Sequence, residues 1–255
     1  MPGRLSSEVV ARGALSSSDR DRLFAVFERH YERVSRERFE GDLAEKDFVI
    51  LLREGASGAV QGFSTQRVLT LKHRGERVRA VFSGDTVIDR AYWGEQELVR
   101  GWCRFAGRVK AAEPAAPLFW FLITKGYRTY LYLPLFFREY DPCGERPTAP
   151  ERKALLDALA LAKFPADYDP ATGLIVPGEA ADRLRPDLAE TPEGRRDDAR
   201  VRFYLEKNPR CAQGEELVSL AEIVASNMKG VAARAFAEGL ALGPLGSEEV
   251  ASRRG

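Results

Sequence analysis

The chain is poor in the residues that build metal centres and disulfide frameworks. It has three cysteines and two histidines in 255 residues. Cys103, Cys143 and Cys211 stand far apart with no CxxC spacing, and His30 and His73 complete no zinc-ligand pattern. No metal is expected. Unpaired thiols fit a reducing, cytoplasmic setting, with Cys103, beside Trp102 in a helical pattern, as a buried inert thiol. An excess of charge is also missing: 39 Lys and Arg face 38 Asp and Glu, for a net +1. That balance offers no general attraction to nucleic acid or anionic lipid, and neither partner is expected. Long apolar runs are absent too. The most apolar stretch, 117–137, is interrupted by Lys125, Arg128 and several tyrosines, whereas a membrane span needs about 20 mostly apolar residues. Residues 1–18 lack the apolar centre of a secretory signal.

What remains is an ordinary globular composition, 44% hydrophobic and 30% charged. Residues 1–16 carry Gly, Ser and Arg without periodicity and are predicted to be a flexible N-terminus. The run Ser16-Ser17-Ser18 is placed to cap a helix on which Phe24, Phe27, Tyr31 and Val34 share a face, and Phe39–Leu43 forms a short helical turn. Phe48–Leu52, Val60–Leu71 and Arg77–Val87 read as strands. The turns between them are too short for parallel crossovers, so they form an antiparallel meander. From Glu95 the apolar period becomes helical through Leu98, Val99, Trp102, Phe105, Ala106 and Val109. Leu118–Ile123 then reads as a buried central strand, parallel to the third strand across a right-handed crossover. Tyr127–Tyr140 is an aromatic-rich, broken helix containing Pro134.

Beyond Gly144 the texture changes. Helices are predicted at 151–163, 195–207 and 215–236, with Pro-rich ordered loop over 165–192. The predicted fold is α/β: a mixed, largely antiparallel sheet with flanking helices over 17–145, then a mainly helical extension over 146–242 packed on it, and a flexible tail over 243–255. Leu155, Leu156, Leu159 and Leu161, and Leu217, Leu220, Ile223 and Val224, supply the apolar faces that need this packing.

Ser83-Gly84-Asp85-Thr86 is the sharpest local feature. Small polar residues inside a strand forfeit packing, and glycine there marks a bulge or a close backbone approach. A bulge would aim Asp85 or Thr86 into a cleft opposite Leu118–Ile123. Burial would raise the Asp85 carboxyl, so that it could take a proton from an amine. The competing reading is a surface irregularity with Asp85 in a salt bridge. His30, between Glu28 and Glu32, and His73, in a polar turn, are expected at the surface.

The order of elements over about 18–140 resembles the GCN5-related N-acyltransferase (GNAT) superfamily. The likeness rests on Phe48-Val49-Ile50-Leu51-Leu52, Gly62-Phe63 in the next strand, Arg77–Val87, and Leu118–Ile123 followed by the tyrosine-rich helix. The resemblance implies a splay between the fourth and fifth strands that holds a pantetheine arm. It also implies a turn and helix N-terminus that cradle a pyrophosphate. On this chain the donor-binding roles fall to Thr86, Ile88, Arg90 and Gly94, protonation of the departing thiolate to Tyr130 or Tyr132, and the general base to Asp85. The implied donor is an acyl-CoA or acyl-carrier-protein thioester and the implied acceptor a small-molecule amine, with an acyl-carrier protein or a second copy of the chain as partner.

Arg90-Ala91-Tyr92-Trp93-Gly94-Glu95-Gln96 is a degenerate form of the family's loop, which reads Arg or Gln, two residues, Gly, one residue, Gly or Ala. One glycine and an acidic residue imply weak binding of bare coenzyme A. Phe119, Phe121, Tyr132, Phe136 and Phe137 suggest a tunnel for a long acyl chain. The alternative function is a non-catalytic acyl- or lipid-binding protein that keeps the fold without the cofactor loop.

Overall fold

The computed structural model describes residues 4–178 and 181–246. The first departure from expectation is at the N-terminus. Leu5–Ala11 is not a flexible segment but an edge strand, β1, antiparallel to the strand at 48–54, with Leu5 opposite Glu54 and Ala11 opposite Phe48. Serines at 6 and 7 obscure its pattern, yet Leu5 and Ala11 are buried. Helix α1 (Ser17–Phe27) starts at Ser16, the first serine of the expected capping run, whose Oγ accepts the Asp19 N–H at 3.0 Å. Tyr31–Glu32 (β2) is a short extended piece, and α2 spans Arg36–Ala44.

Strands β3 (Phe48–Glu54), β4 (Val60–His73) and β5 (Glu76–Ile88) form the expected antiparallel meander. Helix α3 (Glu97–Ala112) carries the chain over one sheet face and buries the predicted stripe around Trp102 and Phe105. Cys103 lies in the same buried face, and desolvation pushes its thiol well above the ordinary range, in keeping with an inert role. Strand β6 (Leu118–Thr124) returns parallel to β5. The broken aromatic helix is α4 (Tyr127–Tyr130) and α5 (Tyr132–Phe136).

The second half adds α6 (Pro150–Lys163), the two-residue strands β7 (Tyr168–Asp169), β8 (Leu174–Ile175) and β9 (Arg183–Leu184), and the helices α7 (Pro186–Ala189), α8 (Glu193–Arg196) and α9 (Ala199–Lys207). Glu216–Glu222 is strand β10, not the start of a helix; the helix, α10, is Gly230–Ala241. Leu217, Leu220 and Ile223 fit helical spacing, but β10 is buried on both faces, and such a strand carries no alternation to betray it. The sheet order is β1-β3-β4-β5-β6-β10-β8-β7, so the extension supplies a strand beside β6 as well as helices packed on the sheet. Its main core cluster accordingly joins Trp102, Trp120 and Phe137 to Tyr204, Leu217 and Phe236. No helix among the described residues is long and apolar enough to cross a membrane.

Candidate active site

Strands β5 and β6 pair from Arg79 opposite Leu118 to Ser83 opposite Leu122, and no further. Beyond Ser83, β5 stays with β4 through a bulge. Gln66 faces Ser83 and Ser64 faces Thr86, which leaves Gly84 and Asp85 together against Thr65. The extra residue turns β5 away from β6, as bulges do, and a cleft of about 440 Å³ opens between Gly84–Ile88 and Ile123–Gly126. Glycine is required at 84 because the Lys46 stem crosses there. A Cβ would lie 2.7 Å from both Lys46 Cε and Thr65 Oγ1.

A buried polar network anchors the bulge from below. Ser83 Oγ donates to Gln66 Oε1 (2.8 Å) and accepts the indole N–H groups of Trp102 (3.1 Å) and Trp120 (2.9 Å). Gln66 Nε2 donates to Ser64 Oγ (2.7 Å), which meets Thr86 Oγ1 at 2.7 Å.

The cleft wall is charged. Lys46, from the turn after α2, is buried and donates to Asp42 O (3.0 Å) and to the Asp42 carboxylate. Lys125, just past β6, donates to Asp182 Oδ2 at 2.6 Å and lies 3.7 Å from Glu216 Oε1. Burial alone would lower the Lys125 pKa, but Glu216 and Asp182 outweigh it and hold the ammonium charged. Desolvation pushes Glu216 up to about 6. Asp85 is half-buried and makes no hydrogen bond among the described residues. Desolvation, reinforced by the Asp42 charge, raises its carboxyl to about 7. Helix α9 clasps the strand ends that carry these groups. Tyr204 donates its hydroxyl proton to Thr124 O (2.9 Å), and Asn208 Nδ2 donates to Glu215 O (2.8 Å).

Of the residues predicted from sequence, Asp85, Thr86, Ile88, Gly94 and Tyr132 line this cleft. Two do not. Tyr130 is a core residue, fully buried, with its hydroxyl donating to Pro142 O at 3.0 Å. Arg90 is exposed, pairs with Asp187 of α7, and lies over the Trp93 ring at 5.7 Å. The aromatic residues suggested for a long acyl tunnel are divided between two places. Phe119 and Phe121 pack on the opposite face beneath α6, while Tyr132 and Phe136 border an apolar pocket of only about 20 Å³ with Trp102 and Trp120.

His30 is not at the surface. Its ring is 7% exposed and lines the cleft; the short β2–β9 ladder begins at the next residue, Tyr31, and covers it. Sequence reasoning missed Asp42, Lys46, Lys125, Asp182 and Glu216 as site residues. Lys125 alone left a signal, as a charge immediately after a buried strand.

No family model and no curated protein sequence matches the chain. Several solved structures are partly similar. A probable N-acyltransferase from Enterococcus faecalis aligns at a TM-score of 0.38 and 12% identity, over 53% of this chain and 33% of its own. Saccharomyces cerevisiae N-myristoyltransferase with bound myristoyl-CoA aligns at 0.36 and 13%, over 47% of this chain and 29% of its own. The GNAT-family N-acetyltransferase YhbS from Escherichia coli, in complex with CoA, aligns at 0.35 and 18%, over 53% and 71%. The chain spans about a third of the length of the first two.

Proposed function

We propose that the chain is an N-acyltransferase that moves an acyl group from a thioester to an amine, the thioester lying in the splay between β5 and β6. The strand order, with a central parallel pair that parts halfway, agrees with the arrangement implied by the sequence resemblance. One observation carries the reading: the bulge presents an unpartnered carboxylate, Asp85, where the strands part, with its pKa raised to about 7. A group of that affinity accepts a proton at neutral pH and releases it again.

In the proposed step the amine nitrogen attacks the thioester carbon, the C–N bond forms, and the C–S bond breaks as the adduct collapses. The nitrogen's proton passes to Asp85, and the departing sulfur takes one from Tyr132. Desolvation raises the Tyr132 pKa and keeps the phenol protonated, as that donation requires. Return of the Asp85 proton to the Tyr132 phenolate restores both groups, so the sum moves one proton from nitrogen to sulfur and needs no further reactant.

The residues at the mouth of the cleft do not fit a pyrophosphate. Gly94, at φ +98°, leaves open space, but Arg90 is taken by Asp187. Around the start of α3, Glu95 accepts the Leu5 N–H (3.2 Å) and Glu97 accepts the Ser7 N–H (3.2 Å). A donor gripped through its thioester and pantetheine arm suits this site, whether the arm is carried by coenzyme A or by a carrier protein. The pocket of about 20 Å³ at the root of the splay favours a short acyl group, since it holds little more than one water-sized probe.

The test is amide formation from acetyl and dodecanoyl thioesters of N-acetylcysteamine with a panel of amines at pH 8, followed by mass spectrometry. Acetyl transfer that falls about 100-fold or more in Asp85→Asn is expected. No product from any pairing would overturn the enzymatic reading.

A further inference from the structure

We infer that the cleft binds a di- or oligoamine, the acceptor in the transfer proposed above: a small molecule whose reacting amine is accompanied by a second amine held as an ammonium by Glu216 and His30. The inference rests on that transfer for the word acceptor, but not for the binding itself.

The first ground is which hydrogen-bonding groups remain open. Both lysines are held by acids, Lys46 by Asp42 and Lys125 by Asp182 and Glu216. The charged wall also presents acceptors that no donor fills. Asp85 has no partner, and Glu216 stands 3.7 Å from Lys125, outside hydrogen-bond reach. His30 is the independent observation. Its Nδ1 lies 2.9 Å from Val26 O, so Nδ1 carries the proton and donates. The other ring nitrogen, Nε2, is buried and has no partner among the described residues, and in the imidazole form it presents a lone pair. A buried acceptor left bare is costly, and a ligand N–H in the cleft removes that cost. A molecule that brings donors is therefore favoured.

The second ground is charge. The lining residues include Asp42, Asp85, Glu95, Asp182 and Glu216 against Lys46, Lys125 and Arg128, five acids to three bases. Glu95 and Arg128 lie toward the mouth and are engaged there, Glu95 with the Leu5 N–H and Arg128 with Leu188 O (2.8 Å) and the faces of Trp93 and Tyr127. Asp85 exchanges a proton with the reacting nitrogen, so the two together stay balanced. Asp42, Asp182 and Glu216 then face Lys46 and Lys125, leaving one negative charge over. A second ammonium on the acceptor neutralises it, whereas a carboxylate in that place meets like charge.

Calorimetric titration of the full chain at pH 8, without donor, tests this with 1,4-diaminobutane, n-butylamine, 4-aminobutyrate and Mg²⁺ as probes. Diaminobutane should bind about tenfold or more tightly than butylamine, and 4-aminobutyrate should not bind. Glu216→Gln should bring the diamine down to the monoamine. His30→Asn, which keeps a side-chain N–H for Val26 O, should weaken diamine binding by a larger factor than butylamine binding. Equal affinity for mono- and diamine, binding of 4-aminobutyrate, tighter binding of Mg²⁺ at the same site, or no amine binding overturns the inference. The wild-type comparison decides even if a variant fails to fold. Acetyl transfer to butylamine with equal binding would leave the transferase reading standing and remove this one; diamine binding without any transfer would do the reverse.

Discussion

Replacing Asp85 with Asn should make the protein more stable and less active, and the two effects should follow the same titration. The carboxyl is raised from 3.8 to about 7. Below about pH 4 it is protonated in both folded and unfolded chains and has no effect. Between about 4 and 7 the folded state binds more protons than the unfolded one, so stability falls as pH rises, and above 7 the loss is complete. Each tenfold change in proton affinity is about 1.36 kcal/mol, which sets a ceiling of roughly 4 kcal/mol. Solvent reaching Asp85 through the cleft screens part of this, so roughly 1–3 kcal/mol is the expected gain for Asp85→Asn at pH 8. For a chain of this size that is a rise in Tm of roughly 3–8 °C. Melting both proteins from pH 4 to pH 8 isolates Asp85, because Glu216, raised to about 6, titrates in both and largely cancels in the difference. Activity should run the other way: the wild-type rate should fall below about pH 7 as the base becomes protonated, and Asn should cost about 10²–10⁴-fold. A Tm difference that does not vary with pH, or a loss of stability at pH 8, would show an ion-paired structural carboxylate and refute the reasoning.

Other substitutions test the frame around the site. Ser83→Ala leaves the buried Trp120 indole N–H without its acceptor, while Trp102 keeps Gln66; a loss of about 1–3 kcal/mol is expected in urea unfolding followed by tryptophan fluorescence. Gly239→Ala puts a Cβ into Arg104 O where α10 crosses α3, so it should cost about 1–3 kcal/mol or more and lower Tm with the cleft chemistry intact. Ending the chain after Gly144 removes β10 and bares the edge of β6; the fragment should be aggregated on size-exclusion chromatography.

The meander was legible because its turns are short and Phe48–Leu52 is a continuous apolar run. The bulge was legible because Ser83, Gly84, Asp85 and Thr86 have no packing reason to stand inside a strand. Failures came where a local pattern was diluted or shared. In β1, Ser6 and Ser7 break the apolar run that Leu5 begins. In β10, burial on both faces gives Leu217, Val218, Leu220 and Ala221 a spacing that suits helix as well as strand. His30 read as a surface residue because Glu28 and Glu32 flank it, yet β2 and β9 close over it. Tyr130 and Tyr132 are two residues apart on a broken helix and point to different places, the core and the cleft, which spacing alone does not separate. The charged wall had no local signature: Asp42, Lys46, Asp85, Lys125, Asp182 and Glu216 meet only through the tertiary fold.

That last point ties the second half of the chain to the site through the sheet register. Strand β6 is buried by neighbours on both sides, and its C-terminal end opens into the cleft, so the residue after Thr124 must leave the sheet there. That residue is Lys125, with its side chain 15% exposed. An ammonium so placed is strongly destabilising unless acids meet it. Leu217 pairs with Thr124, which puts Glu216 alongside Lys125 at the next step, and Asp182 arrives on the segment that leads into β9. A shift of β10 by one residue would carry Glu216 to the other face of the sheet and leave a buried charge poorly paired. The ion pair and the register therefore enforce each other, and the acids that balance Lys125 are the same ones that line the cleft. The second half of the chain forms part of the cleft wall, and it does so by completing the sheet.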